Sequence, residues 1–296
     1  KVIKDDREKD IRLEIFQVKV KTRKEEKTVI EVECLTKHFV NQIYKKMSDK
    51  PKQVWMYGGG VQSCAIAALI KQGKLPKPDV AVIADTGREK QSTWDYLRDV
   101  IQPALDFKIM IVDKDDYATV DLWRGETGLL PVYSNQSGQT SKLPTYCSNE
   151  WKKRVIDRWL KKTQGIKSFV KWIGFSLDEA NRVIRMRDSD DTVYFPLIDG
   201  IPIRRHDCIS TVEKMGWPTP PRSSCWMCPN MRHDEWQDIK ENYPDEFQKA
   251  IQLEKDVREK DPHAFFHRSC KPLDQVDFER EPDLFSRPCD SGLCMT

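Results

Sequence analysis

No apolar run in this chain approaches the ~18 residues that a membrane span requires, and the opening Lys1-Val2-Ile3-Lys4-Asp5 does not read as a signal peptide. A chain with no membrane span and a cytoplasmic location is expected. Internal repeats and low-complexity segments are missing, which removes repeat arrays from consideration. A strong charge bias is missing as well: 50 lysines and arginines face 47 acids, for a net charge of +3. That balance argues against a dedicated nucleic-acid binder and leaves room only for a local basic face. Histidine is scarce, with 5 in 296 residues. His206, His233, His263 and His267 show no metal spacing such as His-Glu-x-x-His and read as surface or capping residues. Cysteine is not scarce. The nine present, an odd number in a chain without a secretory signal, point to metal or sulfur chemistry rather than disulfides.

The most informative stretch is Val54-Trp55-Met56-Tyr57-Gly58-Gly59-Gly60-Val61-Gln62-Ser63. It predicts a buried strand, a glycine turn and a helix opening on a hydroxyl. Consecutive glycines let the backbone turn sharply and bring N–H groups close to an anion. The helix expected from Val61 to Gln72 aims its unpaired N–H groups and positive dipole end at the same point. Ser63 adds a side-chain donor. The pattern lacks the sixth-position glycine of the dinucleotide fingerprint, where Ser63 stands, and the Gly-Lys-Ser/Thr of a Walker loop. Two readings remain: a phosphate cradle, or a glycine turn that serves packing alone.

Asp79-Val80-Ala81-Val82-Ile83-Ala84 predicts a second buried strand, ending in Asp85-Thr86-Gly87-Arg88-Glu89 with Thr93 close behind. Loop and second element together resemble the PP-loop ATP pyrophosphatases of the adenine nucleotide alpha hydrolase superfamily. The likeness is strongest to the adenylyl-sulfate and phosphoadenylyl-sulfate (PAPS) reductase branch, which carries Asp-Thr-Gly and then a Thr. The usual loop is Ser-Gly-Gly-x-Asp-Ser; Gly58-Gly59-Gly60-Val61-Gln62-Ser63 lacks the first Ser and the Asp. This form is similar to that of reductase-like proteins of phages and mobile elements. The resemblance implies that Gly58, Gly59, Gly60, Val61, Gln62 and Ser63, with Asp85, Thr86 and Gly87, bind ATP or a related adenylyl nucleotide with Mg²⁺.

From Pro51 the rhythm is strand, helix, strand, helix over 52–57, 61–72, 79–84 and 90–101, with further strands at 108–112 and 169–173. Such alternation predicts an α/β fold with a doubly wound parallel sheet covered on both faces, and a ligand at the strand C-termini. Residues 1–50 read as a small extension, a hairpin over 12–34 followed by a helix from Thr36, serving structure or partner docking. Residues 51–205 form the expected nucleotide-binding domain, with a loop-like stretch at 123–146. Residues 206–296 form a cysteine-bearing helical subdomain, with helices from His233 to Glu241 and from Pro244 onward.

Cys225-Trp226-Met227-Cys228 spaces two thiolates for one metal or cluster. It follows the proline-rich turn Trp217-Pro218-Thr219-Pro220-Pro221 rather than a βα junction, which argues against thioredoxin-like chemistry. Tyr146-Cys147-Ser148-Asn149-Glu150-Trp151-Lys152 is similar to the Cys-Cys-x-x-x-Lys stretch of adenylyl-sulfate reductases, which with a later CxxC holds a [4Fe–4S] cluster. Ser148 stands where the second adjacent cysteine would be. With Cys208 in its place, the resemblance implies the ligand set Cys147, Cys208, Cys225 and Cys228, and Lys152 near phosphate or sulfate oxygens. A zinc site with four thiolates would use the same residues. Cys289 and Cys294 form a tail pair. Cys294 is placed like the nucleophile of phosphoadenylyl-sulfate reductases; the other reading is a loose pair without a catalytic role. Cys34 and Cys64 read as core residues, and Cys270 has no assignment.

Gly174-Phe175-Ser176-Leu177-Asp178-Glu179-Ala180-Asn181-Arg182 resembles a family Gly-x-x-x-x-Glu-x-x-Arg segment. Arg182 either forks onto a phosphate or pairs with Asp178 or Glu179, which would cap the helix. Arg204, Arg205, Arg222 and Lys240 form a basic rim or are simply solvated. The function implied is cleavage of ATP between its α- and β-phosphates to adenylate an acceptor, with Ser63, Lys152, Arg182 and Cys294 at the chemistry. Sulfur transfer would follow, onto a nucleic acid or a related acceptor, with a donor such as a cysteine desulfurase. Reduction of a sulfonucleotide is one alternative. A nucleotide-binding subunit without turnover, in a phage-defence or mobile-element complex, is another.

Overall fold

A computed structural model of the chain describes residues 50–189 and 192–279. The expected hairpin and helix over 12–47, Cys34, and the Cys289 and Cys294 tail lie outside the described residues. The apolar segments from Pro51 onward pair as a five-stranded sheet: β1 (Lys52–Met56), β2 (Val80–Asp85), β3 (Ile109–Asp113), β4 (Phe169–Trp172) and β5 (Val193–Tyr194). The order is β3-β2-β1-β4-β5 and every pairing is parallel. This is the doubly wound α/β arrangement expected. The two residues of β5 are too few to leave a periodic signal in the sequence.

Seven helices matter here: α1 (Val61–Lys71), α2 (Gln91–Tyr96), α3 (Arg154–Lys162), α4 (Ala180–Ser189), α5 (Arg205–Glu213), α6 (His233–Asn242) and α7 (Pro244–Lys260). Alternation along the strands sends side chains to opposite faces. Trp55, Ala81, Ile83, Ile109 and Trp172 enter one core with residues of α1, α2 and α5. Val54, Val82, Ala84, Val112 and Phe169 enter the other with Val155, Ile156, Trp159 and Leu160 of α3. Most of α1 is buried, and its small residues Ala65, Ala67 and Ala68 suit a helix held between the sheet and α5.

A third core gathers Trp236, Ile239, Phe247, Ala250, Ile251 and Val257 of α6 and α7 around Leu129, Leu130 and Val132. The stretch read as a loop over 123–146 contains short strands, Tyr133–Ser134 pairing with both Ser141–Lys142 and Ala264–Phe265. Strands of two residues are too short to leave an alternating pattern, and one partner of Tyr133–Ser134 lies more than a hundred residues away, so local pattern does not reveal them. Two histidines also differ from expectation. His233 Nδ1 lies 3.3 Å from His267 Nε2, and both rings pack on the buried Phe278. Among the described residues no helix is long and apolar enough to cross a membrane.

The chain leaves β1 toward β2 and β3 on one side, then returns to β4 on the other. That reversal opens a crevice at the C-terminal ends of β1 and β4, the place where open sheets of this kind bind ligands.

Candidate nucleotide and thiol site

The glycine loop fills one wall of that crevice. Gly59 adopts φ +73°, and a Cβ there would stand 2.5 Å from Thr93 Cγ2 and 3.1 Å from Ser223 Oγ. Only glycine meets both demands. Gly60 is the N-cap of α1 and no side chain caps the helix. The first-turn N–H groups are therefore left without an intrahelical partner, an arrangement able to hold an anion. Ser63 Oγ accepts from Gly58 N–H at 2.9 Å, which ties the turn to the helix and leaves the hydroxyl hydrogen to donate. From the other wall, a Cβ on Gly174, just after β4, would be 3.4 Å from both Ser63 N and Ser63 Oγ. Thr93 is fully buried beside the loop, and its Oγ1 has no hydrogen-bond partner.

Asp85, Thr86 and Gly87 follow β2 and turn on themselves. Asp85 Oδ1 accepts from Gly87 N–H at 2.7 Å, and Thr86 Oγ1 accepts from Arg88 N–H at 3.2 Å. Thr86 looks toward sulfur: its Oγ1 lies 3.6 Å from Cys225 Sγ. The segment Ser223–Trp226 is strapped to this turn. Lys90 N–H donates to Ser224 O at 3.2 Å and Trp226 N–H donates to Arg88 O at 2.8 Å. One strap thus touches the glycine loop with Ser223 and the Asp85–Gly87 turn with Cys225.

Cys147, Cys225 and Cys228 converge beside the strap. Burial pushes the Cys147 thiol up to about 12, with Cys228 adding to the rise, and raises Cys225 and Cys228 as well. Lys152 acts on all three, lowering each thiol's pKa against that trend. Cys208 does not join them. It is fully buried where α5 packs on α1, in the same core as Cys64, and its charged neighbours are Arg205, Asp207, Asp178 and Glu179. Of the four cysteines implied by resemblance, Cys147, Cys225 and Cys228 lie near one another and Cys208 lies apart, because the apolar side of α5 is spent on α1. Among the described residues no three His, Cys, Asp or Glu side chains are arranged to hold a single metal ion. Cys64 is a core residue as expected, its Sγ 3.5 Å from the Tyr57 hydroxyl. Cys270 lies at φ 51°, with its Sγ 3.7 Å from Thr140 Oγ1.

The cations expected at phosphates have protein partners. Lys152, on the turn before α3, pairs with Glu89, whose carboxylate is 1% exposed. Desolvation opposes the Lys152 charge, but Glu89 and then Cys225 outweigh it, and its pKa rises. Arg182 pairs with Glu179 and stacks 4.1 Å from the Phe175 ring centroid. Of the two readings for Arg182, the structure shows the ion pair. Gln62 Nε2 donates to Glu179 Oε2 at 3.1 Å, and Arg205 donates to Gln62 Oε1 at 3.2 Å. Asp178 Oδ2 accepts from Arg205 N–H at 2.6 Å, so it serves the start of α5. The basic rim is dispersed likewise: Arg222 pairs with Glu235, and Lys240 lies 5.5 Å from the Phe278 centroid.

Sequence reasoning gave no role to Glu89, Ser223 and Ser224. Glu89 closed a quoted segment, as Gly174 opened one, and no local pattern marks the two serines. No family model and no curated protein matches the chain. One solved structure, a U34-tRNA thiolase NcsA from Methanococcus maripaludis with its [4Fe–4S] cluster, is similar over 88% of each chain, at 15% identity and a TM-score of 0.36.

Proposed function

We propose that this chain is a PP-loop-type enzyme that activates an acceptor with ATP and passes sulfur to it. The observation that carries this is the Ser223–Cys225 strap, which meets the glycine loop at Gly59 with Ser223 and the turn after β2 at Thr86 with the Cys225 thiol. The α1 N-terminus, Ser63 and the loop N–H groups would hold the phosphates and stabilise charge growing on the departing pyrophosphate. Thr93 supplies a buried hydroxyl to the same seat. Arg205 and Arg182, tethered through Gln62 and Glu179, would swing onto phosphate when a nucleotide competes for them. With Mg²⁺, the acceptor oxygen takes AMP and pyrophosphate leaves; sulfur then displaces AMP.

Cys147, Cys225 and Cys228 fit an iron–sulfur cluster as donors. They are three soft thiols in one buried place, held neutral by burial, which a cationic centre would convert to thiolates. The four-thiolate zinc reading would need Cys208 as well, which is buried against α1 and apart from the other three. A cluster held by these thiols would supply iron–sulfur chemistry to the acceptor site. Lys152 and Glu89 orient and charge-balance the thiols, and Thr86 positions Cys225.

Anaerobically purified protein is expected to be brown, to carry about four irons per chain, and to release pyrophosphate from ATP only with Mg²⁺ and acceptor. Unchanged intrinsic fluorescence on titration with adenylates would sink the nucleotide seat. Colourless protein with stoichiometric zinc would sink the cluster.

A further inference from the structure

Four consecutive residues link the two features above to a third. Ser223 abuts Gly59, Cys225 contacts Thr86, and Trp226 reaches past them into a pocket of about 560 Å³. Thr86 lines that pocket and also touches Cys225 Sγ, so one side chain separates pocket from thiol. We infer that this pocket seats a nucleobase, the acceptor presented to the sulfur chemistry. The chemistry rests on the function proposed above; the binding does not.

The pocket walls select against a plain anion. Arg88 forks onto Asp121 through two bonds of 2.8 Å, and Lys114, 7% exposed, pairs with Asp115 and, at 3.1 Å, with Asp121. Both cations are neutralised where they stand. The opposite wall is one edge of α7, where Lys249, Gln252 and Asp256 follow each other at helical spacing. They line up ammonium, amide and carboxylate groups, donors and acceptors suited to the edge of a heteroaromatic ring. Gln252 Nε2 already donates to Asp256 Oδ1 at 2.8 Å, which sets the row in place. The lining balances three cations against three acids, so neutral ligands are not penalised. Trp226 and Leu253 offer apolar surface, and stacking on an aromatic ring is how proteins hold unpaired bases of any sequence. The volume lies within the roughly 300–1,000 Å³ of small-molecule sites.

A base reaches such a pocket as a free mononucleotide or as an unpaired residue of a strand. The test uses the full chain without ATP. Binding of CMP, GMP and UMP is followed by equilibrium dialysis, and binding of labelled single-stranded RNA, DNA and an abasic strand of equal length by anisotropy. At least one base-bearing ligand is expected to bind; Trp226→Ala and Gln252→Ala should each weaken it by at least about tenfold, and Trp226→Phe should retain it. Gln252 lies on an exposed helix face, so its variant decides the matter if Trp226→Ala does not fold. Binding by mononucleotides identifies a free acceptor, and binding by strands alone identifies a nucleic acid. Equal binding of the abasic strand, full affinity in both alanine variants, displacement of the base by ATP, or no binding at all overturns the proposal. Base binding without pyrophosphate release would instead overturn the function and leave the pocket standing.

Discussion

Gly59 combines a left-handed backbone with two close neighbours, Thr93 and Ser223, so any side chain there is opposed twice. Gly59→Ala should cost on the order of 1–2 kcal/mol from the backbone alone, more from the contact with Thr93, and should abolish ATP binding. Urea unfolding and an ATP titration of the same variant separate the two effects. Lys152 and Glu89 make a second demand at this scale. Removing the ammonium with Lys152→Met leaves a buried carboxylate unpaired, a loss on the order of 3 kcal/mol. Adding Glu89→Gln should recover much of that stability without restoring function, which a double-mutant cycle measures. The glycine turn was legible because three glycines between a strand and a helix are a local signal. The Lys152 partner was not, because Glu89 lies 63 residues away in sequence.

At the scale of elements, the decisive pairing is α5 on α1. It takes Cys208 into the sheet core and away from the other thiols. Cys208→Ala is therefore expected to lose about 1 kcal/mol as a small cavity and to keep the wild-type iron content. Cys147→Ala, Cys225→Ala and Cys228→Ala should each lose iron, measured by colorimetric assay after anaerobic purification. Retention of iron by all three variants would end the three-thiol assignment. Strand and helix positions were largely legible, since apolar alternation and helix starts are written within a few residues. The short strands of 123–146 and β5 were not, because two residues are too few to show alternation.

For the molecule as a whole, acid stability should carry the mark of the His233–His267–Phe278 stack. Burial, then the neighbouring His233 and Arg268, lower the His267 pKa from 6.5 to about 4. Between those values the unfolded chain binds the proton and the folded chain does not, so stability is full above pH 6.5 and falls as pH drops toward 4. Urea midpoints across that window should fall more steeply for wild type than for His267→Gln. Parallel curves would remove the stack from the account.

By itself, the order of residues determined where β1 to β4 lie, where the glycine loop breaks into α1, and which cysteines, those of the CxxC and Cys147, stand as candidates for sulfur or metal chemistry. Each of these depends on groups within a turn or two of one another, and such spacing is readable along the chain. Only the tertiary structure decided that three cysteines rather than four converge. It alone set Arg182 and Lys152 against carboxylates, and laid Ser223–Trp226 from the glycine loop past Thr86 to a pocket. Several of those outcomes join segments far apart in the chain, Glu89 and Lys152 at a separation of 63 and Thr86 and Cys225 at 139. Packing of α5, and the pairing of Lys90 with Ser224 and of Trp226 with Arg88, brings them together, and no local pattern encodes it.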